Sequence, residues 1–554
     1  MPDSDLSPEP RPPHGSTAAF CVWGLWAVLT LAGLGFVAFF GRNVPYVDEW
    51  EFLDALSGET PLLPWAWEVH SEHRYPLPRL VWVGLYQTAH DLRVAMGVNV
   101  LLLGAGAAAG IAAARAVRGR TALADVVFPL MFLHPGHYEN LLMSYQVCFT
   151  VGVALATTVV GMSAGQVTGW GLSRTVCAAF LIAVLPLCGT AGVFYAAAGV
   201  IWLAAVGFTA VRAGEYGRAA VLSAAAAAAV AVMAAIAGQY PGSPAADFPR
   251  TTAGVIGFFA RSMASVFGPA AAWFWPVCCV AVGGTFLAGV AAACREWSLA
   301  MWPEWLGFAA VLGAATALAA GLTWGRCWAG GDAAFISRYA ALVLPGMVGV
   351  YLLALKVGGQ RLRVCAPTAL AVLAAVAWPW NVQLGCRKAV WLSDLEDAIV
   401  VDYRDGLPIK LIRERYDWQL LVNMPDMDDR LAQAPDLGFL PSVPARRLKS
   451  TTVPVDLVVP EGGKGRIDLP DRKKSVAVRV QGLFRPRADR LADCRLRTGT
   501  GDTENRAEQF QVPTNTLVHV ITRVTDADAF LTIEMHAGFQ AELHITQIDI
   551  LCDE

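Results

Sequence analysis

Two acids stand side by side soon after the first apolar run. VPYVDEWEFLDAL, from Val44 to Leu56, carries Asp48 and Glu49 between Tyr46 and Trp50. A carboxylate shielded by lipid and aromatic rings has a raised pKa, which suits it to take a proton from an attacking hydroxyl. The competing reading is an interfacial belt, with rings at headgroup level and the acids merely solvated. The continuation EFLDALSGE puts Trp50, Leu53 and Leu56 on one side of a short helix lying along the surface below the acids.

Three further clusters carry chemistry. HSEHRYPLPR places His70 and His73 at i,i+3, with Glu72 between them and Arg74 and Arg79 beyond. Pro76 and Pro78 stop a helix there, so the group sits on a turn. Its arginines either snorkel to lipid phosphate or clamp a substrate phosphate in bidentate fashion. HPGHYENLLMSYQ repeats the spacing with His134 and His137, followed by Glu139, Asn140, Tyr145 and Gln146. Amides and a phenol at a helix mouth suit sugar hydroxyls, and they equally suit neighbouring helices. WGRCWAGGDAAFISRY brings Arg326, Asp332, Ser337, Arg338 and Tyr339 to the start of a late apolar run. Arg338 with the free amides of that helix start makes an anion site, and Gly325, Gly330 and Gly331 give a loop able to close over ligand. The two His-x-x-His pairs raise zinc, but neither is the H-E-x-x-H of a zinc protease. A divalent metal on these acids stays an option, and no metal ligand is assigned.

The elements that position these residues follow from composition. Of 554 residues, 55% are hydrophobic and only 16% charged, against about 25% charge in a soluble protein. The apolar runs continue to about Trp380, and the net charge of −3 leaves no basic surface for nucleic acid. This is a polytopic α-helical membrane protein. Its first run, Ala18–Phe40, is too long for a signal peptide and reads as a retained anchor behind a Pro-rich, disordered cytoplasmic segment, 1–17. Later runs lie near 92–114, 121–134, 141–164, 174–188, 191–211, 218–238, 270–293, 299–321, 338–356 and 363–380, giving about eleven crossings. The Arg/Lys-rich loops 115–120, 211–218 and 356–363 then share one side, the cytoplasmic one by the positive-inside rule. The loops bearing the chemistry, and everything after Trp380, fall on the other side. Residues 381–445 read as a helical linker. From 446 to 554 the apolar residues alternate with period two between Gly, Asp, Asn and Pro, the pattern of an extracytoplasmic β-sandwich-like domain. Cys327, Cys386, Cys494 and Cys552 fall on the outer face, where disulfides are allowed and the pairing is open.

An acidic pair in the first outer loop, an amphipathic segment after it, about a dozen crossings and a soluble outer tail resemble the GT-C superfamily of membrane glycosyltransferases. DEW, EHR followed by Pro-Arg, YENLLMSYQ and the late SRY are similar to uncharacterised bacterial members, over residues 18–380. The resemblance implies a polyprenyl-phosphate-linked sugar donor, an acid of the first outer loop as catalytic base (Asp48 or Glu49), and a bacterial plasma-membrane location. On that reading Arg338, Arg74 and Arg326 bind phosphate. His70, Glu72, His73, His137, Glu139, Asn140, Gln146 and Tyr339 line the substrate site, and membrane lipid and a glycan or protein acceptor are partners. The rival readings are a transporter or flippase of lipid-linked glycans, and a non-catalytic scaffold with a glycan- or partner-binding tail.

Overall fold

The computed structural model describes residues 14–553, apart from 71–72, 166–169, 239–249, 297–301, 417–425, 443–447 and the inter-strand segments 461–463, 469–474, 487–491, 501–502, 513–516, 524–529 and 537–540. Two compact units emerge. The first comprises Met1–Asn43 with Asp54–Asp394, and the second Val44–Leu53 with Leu395–Glu554.

The first unit is helical. Among the described residues nine helices are long and apolar enough to cross a membrane: Thr17–Phe40, Leu92–Arg118, Ser144–Ala164, Thr190–Arg212, Tyr216–Ala237, Trp275–Arg295, Trp305–Ala329, Ser337–Val357 and Gln360–Arg404. In the most apolar stretch of Ser337–Val357 and of Ser144–Ala164, 89% and 72% of residues are buried, and these helices form the centre; in Tyr216–Ala237 and Trp275–Arg295 the share is 17% each, and they lie at the periphery. The chain is therefore a multi-pass membrane protein.

Two of the eleven expected crossings, 121–134 and 174–188, are not among these long helices. Over 121–134 the chain makes a 3-10 turn, Leu123–Val126, and a six-residue helix, Val127–Phe132. Together these span about 15–17 Å, half the ~30 Å of a hydrocarbon core. The apolarity there serves internal packing. Phe132 and Phe128 fill the space beside Gly106 and Gly110, where a Cβ would lie 2.6 and 2.8 Å from their rings. Asp125 closes the segment: wholly buried, it accepts from Arg118 at 2.9 Å, from the Ala122 amide at 2.8 Å and from the Tyr351 hydroxyl at 2.6 Å. The run near 174–188 likewise stays short, a helix Leu172–Val184 passing into a 3-10 turn with Pro186. Another short apolar helix, Thr252–Phe267, was absent from the expected set. The helix of the last crossing runs on past Trp380 into the expected helical linker. The helix Gln360–Arg404 continues for 45 residues through Pro367 and Pro379.

The second unit follows the period-two pattern. Eight strands make two four-stranded antiparallel sheets, ordered β1-β8-β3-β6 and β2-β7-β4-β5. They are β1 (Leu448–Pro460), β2 (Lys464–Asp468), β3 (Ser475–Pro486), β4 (Ala492–Thr500), β5 (Thr503–Val512), β6 (Leu517–Arg523), β7 (Phe530–His536) and β8 (Ala541–Asp553). Val478 and Val480 are buried at the expected spacing of two, yet Ile545 and Ile548 are buried three apart. The register explains this. Gln481 pairs with Gln547 and Gly482 with Ile545, so Thr546 is the extra residue of a bulge that resets the alternation.

Candidate functional site

The segment after His134 folds as three short turns, Pro135–His137, Tyr138–Leu142 and Ser144–Gln146, running into the helix Val147–Ala164. Its polar side chains point inward: His137, Asn140 and Gln146 are fully buried and Glu139 nearly so. The segment is held by hydrogen bonds across the bundle. Asn99 donates to the Met143 carbonyl at 3.1 Å, Thr150 donates to Asn99 at 2.7 Å, and the Trp82 indole donates to Ser144 at 2.7 Å.

Against it packs the late Ser-Arg-Tyr. The Glu139 amide donates to Ser337 Oγ at 3.2 Å, the Arg338 amide donates to Glu139 Oε2 at 3.1 Å, and Asn140 Nδ2 donates to the Ser337 carbonyl at 2.9 Å. The anion at this helix start is thus the chain's own Glu139, which corrects the expectation of an unoccupied amide there. The cationic side chains lie beyond. Arg338 and Arg326 stand 5.6 and 5.9 Å from the centre of the same Tyr339 ring. His137, Glu139, Asn140, Arg326, Arg338 and Tyr339, distant in sequence, therefore form one connected group.

The first loop docks nearby on the same helix. His70 and His73 pair through reciprocal backbone hydrogen bonds of 2.8 and 2.9 Å; Glu72, between them, lies outside the described residues. The His70 ring packs on Tyr145 at 5.2 Å, and His73 Nδ1 is 2.6 Å from Thr190 Oγ1. Tyr75 sets edge-on to Tyr145 and Phe149 and fills the space of a Cβ at Gly189, 2.3 Å away. Arg74 donates to the Trp67 carbonyl; Arg79 stacks 4.7 Å over Trp65 and donates to the Glu68 carbonyl at 3.2 Å. Both cations hold the Leu62–Trp67 turn, so Arg74 has a protein acceptor that the sequence did not reveal.

Asp48 and Glu49 belong to the second unit. They lie in the 3-10 turn Val47–Phe52, where wholly buried Glu49 accepts from the Tyr46 amide at 2.8 Å. Asp48 is half-buried, and Val47 before it has φ +51°, strained for a β-branched residue. The expected short helix does form, the turn running into Leu53–Leu56, but its apolar side is buried in protein rather than laid on a surface. Trp50, Phe52 and Leu53 are all buried, and Arg430 donates to the Trp50 carbonyl at 2.6 Å. That contact, 380 residues apart, ties the acidic turn to the chain after the last crossing.

His134 and His137 lie outside the nine long helices and stack at 4.2 Å with 12° between planes. His137 Nε2 lies 2.9 Å from the Met131 carbonyl, which makes Nε2–H the donor and leaves Nδ1 facing Asn140. Burial pushes His137 down to about 4, and burial with the neighbouring imidazole holds His134 well below the usual range. The unfolded chain takes up these protons near 6.5 and the folded chain does not, so the stability is complete above pH 6.5. It is lost as pH falls from 6.5 towards 4. Thermal unfolding between pH 7 and 5 is expected to show a falling midpoint, with a smaller fall in His137→Gln. Among the described residues no group of three His, Cys, Asp or Glu is arranged to hold a metal.

The sequence reading passed over Asn381 and Gly385, which back this segment. Asn381 donates to the Phe267 carbonyl at 2.7 Å and accepts from the Ala270 amide at 3.0 Å. A Cβ at Gly385 would lie 2.0 Å from the Pro135 carbonyl oxygen, so the backbone must move. Gly385→Ala is expected to cost about 1–3 kcal/mol. Gly313→Ala, with nothing within 4 Å, is expected to unfold like wild type in the same melts. The missed signal was WPWNVQLG, an Asn and a Gly in a run otherwise apolar enough to read as buried. Arg261 was also missed, inside the short helix Thr252–Ala264.

No family model and no curated protein matches the chain. Among solved structures it is similar to the arabinosyltransferase EmbB from Mycobacterium smegmatis, at 11% identity and a TM-score of 0.38. The match covers 99% of this chain and 65% of that one, so the chain spans under two-thirds of its length.

Proposed function

We propose that the chain is a glycosyltransferase that moves a sugar from a polyprenyl-phosphate-linked donor to an acceptor on the extracytoplasmic face of the bacterial plasma membrane. The observation that carries this is the connected group in the first unit. Two guanidiniums lie close to the Tyr339 ring, and the backbone of Ser337 and Arg338 just before it bonds the buried Glu139–Asn140 turn. Cations suit a phosphate ester, an aromatic face suits a sugar ring, and an amide beside a carboxylate suits hydroxyls. Arg338 is the first phosphate ligand, with Arg326 and Arg74 in support, and His70, His73, His137, Gln146 and Tyr339 shape the substrate end. Asp48 is the base, with Glu49 the alternative. Asp48 follows a strained residue, and strain of that kind gathers at functional sites.

In the reaction, the carboxylate takes the proton of an acceptor hydroxyl, whose oxygen attacks the anomeric carbon. The bond from that carbon to the phosphate oxygen breaks, and polyprenyl phosphate leaves with the electron pair, its charge met by the guanidiniums. The two sheets of the second unit we read as a sandwich-like module for acceptor or glycan.

The test is turnover by the purified chain with a panel of polyprenyl-linked sugars. Arg338→Ala is expected to raise KM for the active donor about tenfold or more with an unchanged unfolding midpoint. Failure of every lipid-linked sugar to turn over, or an Arg338→Ala chain with wild-type donor binding, would contradict the reading.

A further inference from the structure

Arg261 stands in the last turn of the helix Thr252–Ala264. Three residues earlier on the same face, buried Phe258 packs with Cys327 and Ala334 and fixes that face against the loop 327–335. The guanidinium therefore lies on the loop backbone. A Cβ at Gly331 would sit 1.7 Å from Arg261 Nη1 and 2.6 Å from Cζ. Its other neighbour is the Trp275 ring, 5.1 Å away.

Among the described residues this guanidinium makes no hydrogen bond or ion pair, and its Nε is buried. Arg326, at the end of the helix Trp302–Arg326, likewise has only the Tyr339 ring. The acid of the loop between them, Asp332, is exposed and pairs with neither. A half-buried guanidinium with no acceptor is costly unless an anion completes it. The surroundings say where such an anion would come from. Trp273, 68% exposed, packs edge-on to Trp380 at 6.2 Å, and Val277 and Val280 continue the exposed apolar face of the peripheral helix Trp275–Glu296. Aromatics at that level mark the membrane–water boundary, so a ligand reaching Arg261 from this side is amphipathic.

We propose that Arg261, together with Arg326, forms a second cationic contact for the phosphate ester of a membrane-borne polyprenyl lipid. This rests on the donor reading above and extends it to a residue outside the Ser-Arg-Tyr group. Gly331 is part of the device: any side chain there pushes the guanidinium away while displacing only the tip of a flexible chain.

The experiment is equilibrium binding of labelled polyprenyl phosphate to the full chain in detergent, with polyprenol and inorganic phosphate as competitors. Arg261→Gln and Gly331→Ala are each expected to weaken polyprenyl phosphate binding about ten- to a hundredfold. Arg261→Lys should be intermediate, and polyprenol binding unchanged in all three. Wild-type affinity in both variants would overturn the proposal. So would displacement by inorganic phosphate as effective as that by the lipid, which would mean a soluble anion. Should Arg261→Gln not fold, Gly331→Ala decides alone. Arg261-dependent binding without transfer from any lipid-linked sugar leaves this contact standing and removes the transferase. Transfer and binding both intact in Arg261→Gln do the reverse.

Discussion

Asp48→Asn is expected to lower the rate of sugar transfer about 10²- to 10⁴-fold while leaving donor binding unchanged. The substitution keeps size and hydrogen-bonding reach and removes only the ability to accept the hydroxyl proton. Glu49→Gln is the internal comparison. Glu49 is wholly buried and spends one oxygen on the Tyr46 amide, a bond that a glutamine oxygen also makes. Its change is expected to lower the unfolding midpoint rather than turnover. The reverse pattern, full transfer by Asp48→Asn and none by well-folded Glu49→Gln, would move the base to Glu49. Full transfer by both would remove the carboxylate base altogether.

The largest effect on stability is expected from Asp125→Ala. Asp125 is completely buried and receives three donors, from Arg118, Tyr351 and the Ala122 amide. Alanine leaves the Arg118 guanidinium facing an apolar gap, and an uncompensated buried charge costs about 3–5 kcal/mol. Tyr351→Phe removes two hydrogen bonds, the one given to Asp125 at 2.6 Å and the one accepted from Arg118 at 3.2 Å, and leaves the ion pair, so about 2 kcal/mol is expected. Unfolding of detergent-solubilised protein measures both. An Asp125→Ala loss no larger than that of Tyr351→Phe would show that the network is not the tie joining the 121–132 segment to the helix Ser337–Val357.

The long helices are legible because a run of about twenty apolar residues has few other uses. The run at 121–134 forms no long helix, and its apolarity serves internal packing, which hydropathy does not distinguish from lipid contact. Phe128 and Phe132 face Gly106 and Gly110 rather than lipid. The helix Thr252–Ala264 is hidden by its length of 13 residues; helix after Trp380 was legible, but not that it continues unbroken from the crossing through Pro379 to Arg404. At the site, His134–Gln146 and Ser337–Tyr339 were each visible as local clusters. Their pairing through Glu139 and Asn140 joins residues nearly 200 positions apart and has no local signature. The same holds for the acidic turn, whose partner Arg430 carries no mark of that role in the sequence.

Transfer to an extracytoplasmic acceptor requires the end of the first unit that carries Arg261, Arg326 and Arg338 to face away from the cytoplasm. Asp332 and Arg361 are both exposed, one in the loop 327–335 and one in the first turn of the last long helix. With native cysteines replaced by serine, Asp332→Cys and Arg361→Cys can be labelled with a membrane-impermeant maleimide in intact spheroplasts. Labelling is expected at 332 without permeabilisation and at 361 only after it. Labelling at 361 with protection at 332 would place the guanidiniums on the cytoplasmic side and contradict extracytoplasmic transfer.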